Sequence, residues 1–291
     1  MTTVSTSATT GAALLLRDFS LEMTGKDTPK LRAAGRSIPE RTRINVTYLG
    51  NEDLAMRLTA ARSVKSGGFV PVPHVSARRL GSQQELEEFL AALRDDGTQP
   101  NLFVVGGDPA RPHGPYTDSL DVIRSGLLHQ YGVRQVGMSG YPEGHPQIPR
   151  ARLWSALEQK AAVLAAEGLA ADIITQFAFD ADPVLTWIEE LRTRGITLPV
   201  RVGVPGPAGV RRLLSYAARF GVGTSTSIAR KYGLSVTNLM STAGPDRFLH
   251  ALAQGYDAAV HGEVKLHFYT FGGLDATSAW IDDFRTKEGL K

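Results

Sequence analysis

Short apolar and β-branched runs alternate with longer stretches of helical periodicity, and the alternation recurs about eight times along the chain. Phe19–Met23, Arg43–Tyr48, Phe69–Val75, Asn101–Val105, Arg134–Ser139, Asp172–Phe177, Val200–Val204 and Lys265–Thr270 predict strands. The segments Asp53–Ser66, Ser82–Asp95, Thr117–Tyr131, Arg152–Glu167, Asp182–Arg194 and Ala208–Phe220 predict helices, with a fainter one around Pro29–Arg36. Ser82 followed by Glu85 is a capping-box signature. Gly168, Gly195 and Gly221 stand where helices should stop.

Strands that alternate with helices form a parallel sheet covered on both faces. Eight such units in 291 residues favour a closed (β/α)8 barrel over an open doubly wound sheet. The open sheet usually carries a glycine-rich first turn, and no G-x-G-x-x-G follows the first strand. Residues 1–17 are expected to be a flexible N-terminal tail and residues 18–291 a single α/β TIM-barrel domain. Gly221–Val264 breaks the rhythm, with extra helical segments at Thr224–Tyr232 and Pro245–Gln254 before the last strand.

Composition narrows the function classes. The chain is 42% hydrophobic, enough for a sizeable core, yet no apolar run is long enough to span a bilayer, so a membrane role is not expected. Ala12–Leu16 is too short for the apolar core of a signal peptide. There is no cysteine, which excludes disulfides and thiolate metal sites and fits a cytoplasmic protein; no H-E-x-x-H suggests a metal either. Thirty-two Lys and Arg face 29 Asp and Glu, and the densest basic clusters are the pairs Arg78-Arg79 and Arg211-Arg212. That scatter argues against a nucleic-acid partner and is compatible with a small anionic ligand.

In barrels of this kind the loops after the strands build the site. The strand ends offer Glu22, Thr47-Tyr48, His74, Gly106-Gly107-Asp108, Tyr141-Pro142-Glu143-Gly144-His145-Pro146, Thr175-Gln176 and His267-Phe268-Tyr269-Thr270. With Phe19-Ser20-Leu21-Glu22, Val46-Thr47-Tyr48 and Ile174-Thr175-Gln176-Phe177, these segments resemble, in order and spacing, the methylenetetrahydrofolate reductases. The Tyr-Pro-Glu-x-His-Pro and Thr-Gln-Phe segments are the most specific, and the resemblance runs from about Phe19 to the C-terminus.

The resemblance implies a barrel that uses FAD to carry a hydride from NADH or NADPH to 5,10-methylenetetrahydrofolate, giving 5-methyltetrahydrofolate. A flavin suits this because it accepts and returns a hydride while the protein orients both partners. Glu22 matches the general acid that opens the methylene bridge to the reactive iminium form, a role that needs a carboxyl kept protonated by burial or neighbours. Asp108 matches an aspartate between the flavin pyrimidine edge and the pterin, and Gln176 a glutamine that bonds the pterin with donor and acceptor together. Thr47, His74, Gly107, Tyr141 and His145 match positions around the flavin. Lys160 matches a lysine at the FAD diphosphate, and Tyr216 an aromatic that stacks on nicotinamide or folate rings. Taken without the resemblance, Glu22 reads equally as a salt-bridged carboxylate, Asp108 as a helix cap, Gln176 as an amide satisfied by backbone, and His74 as a core histidine. Tyr216 then reads as core packing and Lys160 as a solvated helix lysine.

The departures fall mainly on the flavin side. Gly106 stands where an arginine precedes Gly-Asp in the family, and Gln159 where an arginine neighbours the lysine. Leu153 or Trp154, and Ala156 or Leu157, replace polar positions on the same helix, which follows Pro149. On the folate side, Gly273 and Arg212 replace an arginine and a glutamine. Gly272-Gly273 reads either as a phosphate-cradling loop or as a turn needing positive φ. FAD is therefore expected to bind weakly or in an altered pose, or hydride to pass directly from nicotinamide to folate. A folate-binding subunit of a one-carbon complex, and an enzyme acting on another folate species, remain as alternatives. The oligomeric state is open, a homo-oligomer included.

Overall fold

Each apolar run becomes a parallel strand, and the strands pair strictly in chain order until the last closes on the first. The computed structural model describes residues 11–223, Tyr232 and 242–289. Its barrel strands are β1 (Ser20–Met23), β2 (Arg43–Val46), β3 (Val70–Ser76), β4 (Asn101–Val105), β5 (Gln135–Gly140), β6 (Ala170–Phe177), β7 (Val200–Pro205) and β8 (Val264–Tyr269). Ser20 pairs with Arg43 on one side and His267 on the other, which closes the (β/α)8 barrel.

Helices cover the outside: α1 (Gly11–Leu15), α2 (Thr28–Ala34), α3 (Leu54–Ser66), α4 (Gln83–Asp95), α5 (Ser119–Arg124), α6 (Leu127–Gln130), α7 (Arg150–Ala166), α8 (Ala181–Thr193), α9 (Val210–Phe220), α10 (Asp246–Gly255), α11 (Ala258–His261) and α12 (Leu274–Lys287). Their starts follow local chemistry. Asp53 caps α3 by accepting from Met56 N at 2.7 Å, and Ser82 caps α4 by accepting from Glu85 N at 3.1 Å. The continuous helix expected over Thr117–Tyr131 is split, because Gly126 adopts a left-handed φ of 73° between α5 and α6. The helix expected from Ala208 begins at Val210, since Ala208–Gly209 pairs instead with Thr242–Ala243 in a two-residue antiparallel ladder. The Thr224–Tyr232 helix lies outside the described residues except for Tyr232, whose buried hydroxyl donates to Pro205 O at 2.7 Å.

Packing also starts earlier than the Ser/Thr-rich N-terminus suggests. Residues 11–17, expected as the end of a flexible tail, form α1 and the start of a 3-10 turn (Leu16–Asp18). Ala12, Leu15 and Leu16 are buried, and α1 rests on α10. The apolar character of Ala12–Leu16 thus serves the core. Among the described residues no helix is long and apolar enough to cross a membrane.

The N-terminal end of the barrel interior is closed by charge. Arg43 of β2 reaches across to Asp172 of β6 at 3.4 Å and donates to Asn101 of β4 at 3.1 Å. Arg201 of β7 meets the same Asp172 oxygen at 3.1 Å and donates to Asp18 O at 3.0 Å. Lys265 completes the network on Asp18 at 2.5 Å. In such barrels this end serves stability and the opposite end serves chemistry.

Candidate active site

At the opposite end, the strands open onto a cleft of about 620 Å³. Its floor and walls include Glu22 of β1, Thr47 and Tyr48 after β2, His74 of β3, Asp108 after β4, Tyr141 after β5, Gln176 of β6, Tyr216 of α9, and Tyr269 to Phe271 at the end of β8. Seven of the residues expected at a site therefore meet in one cavity: Glu22, Thr47, His74, Asp108, Tyr141, Gln176 and Tyr216.

Glu22 and Ser20 stand two residues apart on β1 and so share a face. Both meet His267, which is buried and pairs opposite Ser20 in the barrel. Ser20 Oγ lies 2.9 Å from His267 Nδ1, and His267 Nε2 lies 3.8 Å from Glu22 Oε2. Thr270 Oγ1 donates to the carbonyl of Glu22 at 2.7 Å and ties β8 to the strand that carries the acid. Glu22 is thus a carboxyl at the mouth of the barrel, backed by an imidazole and a hydroxyl. Ser20 and His267 lie within the strand-end segments, yet sequence reasoning assigns them no role; their shared face with Glu22 and Tyr269 is the signal that could have found them.

His74 is buried, and burial lowers its pKa to about 4. The ring is therefore neutral at pH 7, with Nε2 3.2 Å from Asn45 Nδ2, and it is not a cation for phosphate. Thr47 lines the cleft, and its Oγ1 is buried without a hydrogen-bond partner among the described residues. Gln176 Oε1 accepts from Phe177 N at 3.1 Å. Desolvation raises the Tyr141 pKa, so its hydroxyl stays protonated.

The far wall is aromatic. Tyr216 stacks on Phe271 with centroids 4.3 Å apart and planes at 16°, and Phe271 stacks in turn on Tyr269. Phe177 meets Phe271 edge-on at 4.9 Å. Tyr269 donates to Thr175 O at 2.9 Å, which fixes its ring. Such a wall suits flat heterocycles, whose rings prefer offset stacking.

Three expected residues do not line the cleft. His145 sits behind it, its ring edge-on to Tyr141 at 5.4 Å, with its pKa lowered by burial and by Arg78. Gly107 has φ 90°, and a Cβ there would stand 2.2 Å from Ser76 Oγ, so its role is to bring the backbone past β3 toward Asp108. Lys160 is buried on α7, where desolvation lowers its pKa to about 8 and Asp118, the cap of α5, is its acidic neighbour. Gln159 is bound to Arg124 at 3.2 Å and to Ser155 at 2.9 Å. Beside α7, Trp154 stacks on Trp187 and only about 10 Å³ remains open.

These observations test the fit of FAD. With Gly106 bare, Lys160 buried beside Asp118 and Gln159 engaged, the helix and loop expected to hold the diphosphate offer it no cation in the cleft. The helix and loop expected at the FAD diphosphate therefore do not fit that group. The Gly272-Gly273 loop is a turn: Gly273 has φ 102°, and a Cβ on Gly272 would stand 2.0 Å from Pro207 O.

The model of the family "Methylenetetrahydrofolate reductase" matches residues 31–279. Methylenetetrahydrofolate reductase 2 of Saccharomyces cerevisiae is 29% identical over 126 residues, 40% of this chain and 20% of the relative. Methylenetetrahydrofolate reductase (NADH) 1 of Zea mays is 27% identical over 136 residues, 42% and 22% of the two chains. The aligned stretch therefore spans about a fifth of the length of these curated relatives. The solved dihydropteroate synthase of Thermus thermophilus is similar at a TM-score of 0.49 and 15% identity, over 93% of this chain and 94% of that one. With the family match running through nearly the whole barrel, this chain belongs to the methylenetetrahydrofolate reductase family.

Proposed function

We propose that the chain reduces 5,10-methylenetetrahydrofolate to 5-methyltetrahydrofolate with NADH or NADPH as hydride donor. The observation that carries this reading is Glu22, backed by His267 and Ser20, facing an aromatic wall across one cleft. A proton donor has no use in a protein that only stores folate, and this favours the enzyme over a binding subunit.

In this reading the Glu22 carboxyl gives its proton to the bridge nitrogen that leaves as the five-membered ring opens. That leaves an iminium carbon short of an electron pair, and a hydride from the reduced nicotinamide fills it. Gln176 and Asp108 hold the pterin edge, the glutamine as donor and acceptor and the aspartate as acceptor. Tyr216, Phe271 and Tyr269 hold the rings in face-to-face reach, so the two substrates are aligned before reaction. No step is routed through a flavin, since Lys160 is buried and Gln159 is engaged at the positions expected for its diphosphate, and the hydride passes directly.

Two assays check this. Purified protein given both substrates should consume reduced nicotinamide and form 5-methyltetrahydrofolate, identified by mass spectrometry; no turnover would favour the binding subunit. The same protein should show no flavin absorption band, and added FAD should leave the rate unchanged. A stoichiometric flavin retained through dialysis would return the chemistry to the flavin route.

Gln176→Leu should raise the folate KM by about tenfold or more, because an unsatisfied buried hydrogen-bond partner costs about 1–3 kcal/mol. Nicotinamide affinity, read from its fluorescence on binding, should stay as in the parent. A parallel loss of both would make Gln176 a structural residue.

A further inference from the structure

We propose that Arg79 is the oxyanion-recognition residue of the cleft, paired with Asp108 until an anionic group of the ligand takes its place. The inference rests on the reading that the cleft receives a folate and a reduced nicotinamide dinucleotide.

Arg79 ends the 3-10 turn (Ala77–Arg79) that follows β3, and its side chain, only 14% exposed, lies in the cleft wall. The guanidinium lies against Gly50, where a Cβ would stand 2.5 Å from Nη1, and its carbon is 5.6 Å from the Tyr48 ring centroid. Backbone and ring thus hold the fork in place. One Nη2 hydrogen bond goes to Asp108 Oδ1. The Nε is buried and has no hydrogen-bond partner among the described residues. A guanidinium carries five N–H donors in a fixed plane, matched to two oxygens of one phosphate or carboxylate. Here a buried donor has no acceptor among the described residues.

The partner is placed to let go. The Asp108 side chain is 65% exposed, so water competes for it and screens the pair. Arg57 also lies against the Tyr48 ring, its guanidinium carbon 3.6 Å from the centroid, but it is buried and donates to His74 O at 3.0 Å. It is not free to move to a ligand. Glu52, the buried carboxylate nearby, already accepts from Gly25 N at 2.8 Å and Leu49 N at 2.9 Å. Arg79 and Asp108 are therefore the exchangeable pair. Capture of an oxyanion by Arg79 frees Asp108 to accept from the amino edge of a pterin, which couples the two substrates.

The placement also accounts for Gly106. A Cβ there would meet nothing within 4 Å, so a side chain is sterically allowed and absent. The turn after β3 brings an arginine to the same aspartate from the neighbouring strand. Two ligand groups have the required chemistry: the diphosphate of the dinucleotide and the glutamate carboxylates of the folate.

The test reads binding rather than turnover. Dissociation constants of Arg79→Gln and Arg79→Lys are measured for NADH, ADP-ribose, tetrahydrofolate and a tetrahydropteroate lacking the glutamate. Arg79→Gln should weaken one substrate by about tenfold or more, as loss of a bidentate charge-assisted contact does, and leave the other nearly unchanged. Lysine, which keeps the charge without the fork, should restore part of the loss. A loss shared by NADH and ADP-ribose assigns the diphosphate; a loss seen with tetrahydrofolate but not tetrahydropteroate assigns the carboxylate. Asp108→Asn, which releases Arg79, should tighten the same anion. The inference is overturned if Arg79→Gln leaves both constants unchanged or weakens both alike, if Asp108→Asn weakens ADP-ribose where the diphosphate is assigned, or if it shrinks the preference for tetrahydrofolate over tetrahydropteroate where the carboxylate is. A chain that binds through Arg79 yet reduces no folate would remove the reductase reading and leave this one standing.

Discussion

Glu22→Gln should lower folate reduction by about two to four orders of magnitude, the usual contribution of a positioned general acid, while folding and folate binding stay close to the parent. The glutamine matches the carboxyl in size, so the aromatic wall and the tie from Thr270 to the Glu22 backbone are left in place. What the substitution removes is the carboxyl to which the proposal gives the acid role, beside His267. Folate affinity should change little, because the proposal gives the ring edge to groups on other strands, Gln176 of β6 and Asp108 after β4, both of which line the cleft. Steady-state kinetics with a folate-binding titration checks this: kcat should collapse and the dissociation constant should hold. Turnover at the parental rate would remove Glu22 from the chemistry. Loss of folate binding as well would make it a recognition residue instead.

The barrel could be read from the sequence because each strand is buried on both faces and each helix on one, so both leave periodic signals. The misses have physical causes. Gly126 breaks a helix whose apolar pattern runs straight through it, since periodicity does not register a backbone turned to positive φ. Residues 11–17 pack through Ala12, Leu15 and Leu16, a run too short to stand out against the polar run before it. At the site, the strand-end rule found Glu22, His74 and Gln176 because direction along a strand decides which end a residue reaches. It could not find Arg79, whose partner is a carboxylate 29 positions away along the chain. It placed Lys160 on the correct helix, but a helix lysine that is solvated and one that is buried look alike in sequence. Burial here comes from α5 packing on α7, a tertiary contact.

The N-terminal end of the barrel escaped the sequence reading for the same reason, and it carries the largest expected stability effect. Asp172→Asn should destabilise the fold by about 3–5 kcal/mol, the range for removing one partner of a buried ion pair. Arg43 and Arg201 converge on one oxygen of Asp172, and the side chains of Asp172 and Arg201 are 6% and 3% exposed. An amide keeps the shape of the carboxylate but removes its charge, and two guanidinium groups then share the barrel interior. Arg201 retains Asp18 at 3.4 Å, whereas the remaining hydrogen bond of Arg43 among the described residues goes to the neutral Asn101 and Asp18 acts on it only at longer range. Most of the cost should therefore come from Arg43, and in an Arg43→Met background the same Asp172→Asn change should cost less by about 1–3 kcal/mol, the coupling expected of residues in contact. Urea unfolding of the four proteins measures both quantities. Because the cleft lies at the other end of the strands, kcat per folded molecule should be unchanged below the transition. A single-variant loss under about 0.5 kcal/mol, within the usual scatter of surface substitutions, would mean that water or backbone rearrangement solvates Arg43 and that the network does not close the barrel floor.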